Sequence, residues 1–204
     1  MRKLLMAIAM MALLAAAFVP QAAMAQVKVG ILMGFSGPLA ALAPAIEAGA
    51  LLAVDQVNAA GGINGQKVET ISRDTATNPS TGRDAAAKLV DVDRVPAIIG
   101  ALSSGVTTAA SSVTIPAQVV MVSPSSTAPT LTDLDDHDYF FRTCPSDALQ
   151  GKVAGRVARN AGYETAGVIF VNNPYGKGLA ENFKSAFEAA GGKVTTMVPY
   201  DESK

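Results

Sequence analysis

From Val27 to Val122 the chain alternates short, largely apolar runs with longer segments whose apolar residues recur every three or four positions. Val27–Met33 (VKVGILM) is apolar almost throughout, as a parallel strand buried on both faces must be. Leu39, Leu42, Ile46, Ala50, Ala53 and Val57 then keep helical spacing until Ala60-Gly61-Gly62, a glycine stop, and Asn64-Gly65 turns the chain. Strands follow at 67–72, 96–100 and 119–122, with helices at 81–90 and 106–115 between them. Strand, helix, strand in strict rotation predicts an α/β fold, a parallel sheet covered by helices.

The rotation breaks once. Residues 123–138 are rich in Ser, Thr, Pro and Asp and carry no period. Tyr139-Phe140-Phe141-Arg142 is a short extended piece, and the alternation resumes with helices at 146–161 and 175–190 and strands at 166–171 and 193–198. This pattern divides the chain into a first unit over 26–138, a crossover at 139–142 and a second unit over 143–204. The second unit reads as unfinished, because two parallel strands are a poor free-standing core.

Residues 1–25 read as an address and not as part of the fold. Arg2 and Lys3 precede an uncharged run from Leu4 to Val19, and Ala23-Met24-Ala25 offers small residues where a signal peptidase cuts. The alternative, a membrane anchor, needs about 20 apolar residues and finds fewer here. Cleavage before Gln26 would put the mature protein outside the cytoplasm. Composition removes other classes. With 16 Lys+Arg against 17 Asp+Glu the net charge is −1, so the basic footprint of a nucleic-acid binder is missing. One Cys (Cys144) and one His (His137) supply neither a zinc cluster nor an HExxH site, and no phosphate-loop or dinucleotide fingerprint is present, so no cofactor or metal is expected.

In an open parallel sheet, ligands bind beyond the carboxyl ends of the strands. The segments that fall there are Gly34-Phe35-Ser36-Gly37, Ala101-Leu102-Ser103-Ser104, Ser123-Pro124-Ser125-Ser126-Thr127 and Asn172-Asn173-Pro174-Tyr175-Gly176, all neutral and mostly hydroxyl-rich. Ser103 and Ser104 open a helix, where free N–H groups and the helix dipole favour a carboxylate, although either serine would also serve as a plain N-cap. Ser125, Ser126 and Thr127 fit a turn as well as a ligand contact, and Tyr175 fits helix-start packing as well as a ligand. Catalysis has less support: no GxSxG elbow surrounds a serine, and His137 sits in the acidic run Asp133–Asp138.

Taken in order, Asn58-Ala59-Ala60-Gly61-Gly62-Ile63-Asn64-Gly65, Arg73-Asp74, Asn78-Pro79, Ile98-Ile99-Gly100, Ser103-Ser104, Ser123-Pro124 and Asn173-Pro174-Tyr175-Gly176-Lys177-Gly178 resemble the periplasmic solute-binding proteins of ABC transporters, in the branched-chain amino-acid group. The resemblance covers the chain after the leader. It implies a type I periplasmic-binding fold, two doubly wound lobes joined by a hinge with ligand between them, the second lobe being incomplete here. It further implies a periplasmic location, an inner-membrane ABC permease as partner, a small-molecule ligand of amino-acid type, and no enzymatic activity. Carried onto this chain, it assigns Ser104 to the ligand carboxylate, with Ser103 beside it. Ser126 and Thr127 would meet the carboxylate and ammonium, and Tyr175 would close over the ligand. Leu42 stands where an aromatic sometimes lines the side-chain pocket, and the family's acidic partner for the ammonium would lie past Lys204. An aromatic acid, an amide or urea as ligand, a sensory ligand-binding domain, and a hydrolase using Ser104 remain as alternatives.

Overall fold

The structure, a computed structural model, describes residues 26–201; the expected leader lies outside them. A first sheet contains β1 (Val27–Met33), β2 (Val68–Asp74), β3 (Ala97–Gly100), β4 (Val120–Ser123) and β5 (Phe140–Arg142) in the order β2-β1-β3-β4-β5, every pair parallel. Its helices are α1 (Ala43–Ala59), α2 (Pro79–Ala87) and α3 (Ser104–Thr114). The crossover piece 139–142 is thus the edge strand of the first sheet, and the chain leaves that sheet after Arg142. A second sheet pairs β6 (Thr165–Val171) with β7 (Lys193–Tyr200), again parallel, with α4 (Asp147–Asn160) and α5 (Pro174–Ala189).

The apolar run of β1 explains the layering. Side chains alternate across a strand, so Leu32 joins one core with Leu89, Val95, Ile98, Val106, Ala110, Met121 and Phe140, while Ile31 and Met33 join a second with Ala43, Leu102 and, half-buried, Phe35, Leu39 and Ile46. Both faces of β1 are dry over residues 30–33, which is why this end of the strand does not alternate with polar residues.

Helix boundaries follow capping chemistry. α1 begins at Ala43 and not at Leu39, because Pro44 has no N–H to give and is tolerated only in a first turn. At α2 the Thr81 N–H donates to Asn78 Oδ1 at 3.1 Å and Pro79 takes the first position. The helix then widens into a π-turn over Lys88–Val92. At α5 the Gly176 N–H donates to Asn173 Oδ1 at 2.9 Å, which fixes the start of the helix that carries Tyr175.

Candidate functional site

The carboxyl ends of β1, β3 and β4 open on a cavity of about 330 Å³, and the start of α5 faces them across it. Gly100 ends β3 with φ +148, and a Cβ there would lie 2.2 Å from the Leu32 carbonyl oxygen, so only glycine lets the chain turn to put Leu102, Ser103 and Ser104 on the rim. Leu39 and Leu42 line the apolar side. They are held by a tie between the loops after β1 and β2: Thr77 Oγ1 donates to Ser36 O at 3.2 Å and accepts the Leu39 N–H at 3.3 Å. Burial pulls the Asp74 carboxyl up, but the Ser36 hydroxyl and the N–H groups of Ala76, Ser36 and Phe35 outweigh it and hold Asp74 below its usual value.

Ser104 is the first residue of α3 and is 2% exposed. Its Oγ accepts the Ala128 N–H at 3.1 Å. Neither Ser103 nor Ser104 uses its hydroxyl to cap α3, since no side-chain cap bond is made there. Both serines line the cavity.

The loop after β4 is built by its own first residue. Ser123 Oγ donates to Ala101 O at 2.7 Å and accepts the Ser126 N–H at 2.9 Å. This geometry sends neighbouring residues opposite ways. Ser125 and Thr127 reach the cavity wall, whereas Ser126 does not. Ser126 is fully buried; its hydroxyl is 2.6 Å from Thr107 Oγ1, and its carbonyl accepts from Arg142 Nη1 at 3.3 Å and from Cys144 Sγ at 3.5 Å. Ser126, expected at the ligand, does not line this cavity; its N–H, hydroxyl and carbonyl all bond within the protein and hold the loop. Arg142 was not singled out in the sequence, yet its guanidinium also donates to Ala128 O at 2.9 Å and to Thr132 Oγ1, clamping the loop to β5.

The second unit contributes Gln150, Asn173 and Tyr175 to the same wall. Burial first, then the charge of Asp147 and the neighbouring Tyr200, push the Tyr175 hydroxyl above its usual value. Asp147 is buried beneath this wall. Thr127 Oγ1 donates to its Oδ2 at 2.7 Å, and its own N–H donates to the Thr127 carbonyl at 2.8 Å. Burial raises the Asp147 carboxyl despite the Thr127 bond and the nearby Arg142 charge. Gln150 and Asp147 went unmarked in the sequence; they sit one helical turn apart on α4, a spacing that puts both on one face. His137 lies elsewhere, exposed beside Asp135.

Two units meet here around a neutral, hydroxyl-lined cavity at the ends of parallel strands, the place where open parallel sheets bind ligands. The chain belongs to the periplasmic binding protein family, whose model matches residues 26–203. A Leu/Ile/Val-binding protein homolog of Brucella melitensis is 37% identical over 181 residues, 88% of this chain and 48% of the relative. Among solved structures, LivJ of Streptococcus pneumoniae in complex with isoleucine aligns with a TM-score of 0.77 and 31% identity over 88% of this chain and 51% of that one. A solute-binding protein of R. palustris in complex with benzoate shares the fold, with a TM-score of 0.78 at 24% identity over 87% of this chain and 49% of that one. The chain spans about half the length of the relatives it matches. Its fold is the type I periplasmic-binding α/β fold.

Proposed function

We propose that this protein is the extracytoplasmic substrate-binding component of an ABC uptake transporter, and that it binds a branched-chain or related amino acid in the cleft between two lobes. In this reading residues 26–138 form the first lobe, 139–142 the crossover and 143–204 part of the second. The observation that carries it is Ser104. Its oxygen already accepts the Ala128 N–H, so its proton is left to donate, and it stands at the N-terminus of α3 where unpaired amides and the helix dipole favour negative charge. A ligand carboxylate is held there without a cationic side chain. Leu39, Leu42 and Leu102 supply the apolar wall for an aliphatic side chain, and Tyr175 closes from the other lobe.

The set suits binding better than turnover. A serine nucleophile needs a base, and Ser104 Oγ is bonded to a backbone N–H instead. Ligand that contacts both lobes favours the closed arrangement by its differential contacts, and the closed form is what an inner-membrane permease would recognise. The test is calorimetry on the full-length protein with leucine, isoleucine and valine. Ser104→Ala combined with Thr127→Ala should abolish binding, and unchanged affinity would remove these residues from the site.

A further inference from the structure

Asp147 is 0% exposed, and its Oδ1 is one of two buried side-chain polar atoms among the described residues that have no hydrogen-bond partner. A carboxylate taken from water without a full set of partners is costly, and the fold does not need it as a cap. Ser146 already caps α4, its Oγ accepting the Ala148 N–H at 3.2 Å. The neighbouring cation does not repair it either: the Arg142 guanidinium is bonded to Ser126 O, Ala128 O and Thr132 Oγ1. Burial accordingly outweighs Arg142 and raises Asp147; burial is also what chiefly raises Cys144, just after the crossover, and Tyr175 on α5, with the Asp147 charge adding to both.

The effect of Asp147 reaches the cavity through Thr127. A threonine hydroxyl has one proton, and Thr127 gives it to Asp147 Oδ2 at 2.7 Å. What Thr127 turns to the cavity is lone pairs. Ser104, on the same wall, differs: one of its two lone pairs takes the Ala128 N–H, and its proton, unlike that of Thr127, is left to donate. We infer that Asp147, acting through Thr127, is the positioning residue that makes this cleft select an acid carrying a cationic amine over the same acid without one. An ammonium group beside Thr127 finds acceptors there and a buried negative charge behind them. An acid lacking the amine leaves both unanswered. This rests on the amino-acid reading above and names what enforces it.

The test titrates the full-length protein with leucine and with 4-methylpentanoate, the same skeleton without the amine, in the wild type, Asp147→Asn and Thr127→Val. The wild type should prefer leucine. Asp147→Asn should weaken leucine by about ten- to hundredfold, the size of a lost charge-assisted contact, and leave 4-methylpentanoate nearly unchanged, so that the preference collapses. The Asn variant should melt no lower than the wild type, because a buried, incompletely partnered charge has been removed. Equal weakening of both ligands, or leucine affinity retained, overturns the inference. If Asp147→Asn does not fold, Thr127→Val reads the same ratio, and a preserved preference there is equally fatal. A wild type that binds both compounds alike refutes Asp147 as selector while leaving an acid-binding cleft. A wild type that binds neither refutes the amino-acid reading together with it.

Discussion

The five-stranded and the two-stranded sheets are both parallel and both carry helices, yet they bury their strands to different degrees. In the first, Ile31, Leu32 and Met33 are all fully buried, so β1 is dry on both faces. In the second, α4 and α5 pack closely on each other: a Cβ on Gly151 or Gly155 would come within 3 Å of the Phe183 backbone, and Phe187 is fully buried, stacked on Phe183 at 5.5 Å and covered by Arg159 at 5.9 Å. The far side of that sheet is bare, with Ile169 74% exposed and Val198 and Tyr200 about half exposed. Parallel strands ordinarily have both faces covered. The difference teaches that the cavity rim on the first unit is set by its own core, whereas the second unit holds Tyr175 through one helix pair.

Three substitutions sharpen that contrast. Leu32→Ala opens a cavity in the dry core and should cost about 2–5 kcal/mol, read as a lowered denaturation midpoint; a loss under about 1 kcal/mol would mean that the first sheet is not the independent core described here. Gly178→Ala acts between the units. Its Cβ would lie 2.5 Å from Pro129 Cδ, at the contact of α5 with the loop after β4. Alanine is intrinsically better in a helix by about 1 kcal/mol, so the expected result is a protein no less stable that binds amino acid about tenfold more weakly. Unchanged affinity would show that this contact is not part of the bound arrangement. The smallest effect belongs to Ile169→Thr on the bare face, measured in the 204-residue chain and within about 0.5 kcal/mol of the unsubstituted chain; a larger loss there would show that the face is covered in solution.

The sequence displays β1 openly, because a strand dry on both faces must be spelled almost wholly in apolar residues. It hides what tertiary contacts decide. Leu39 to Leu42 keep helical spacing, but Pro44 sets the helix start. Ser125, Ser126 and Thr127 look alike as letters, and only the Ser123 hydroxyl, by pinning the loop, determines that Ser126 faces inward. That Ser104 and Tyr175 line the cavity was legible, because helix starts after strands are where such a fold presents groups. Asp147 was not: an aspartate next to an N-cap serine is ordinary surface spelling, and its burial comes from Thr127 and the helix packed beside it.

Asp147 and Thr127 are also joined twice, backbone to backbone and side chain to side chain, at the point where the chain passes from one sheet toward the other. If the two units move as the lobes proposed above, this doubly pinned point would be their fulcrum. Any swing of the second body would displace Thr127 least and Tyr175, at the end of a longer lever arm, more. A solute seated against Thr127 would therefore keep its amine end still while its other contacts arrive by leverage.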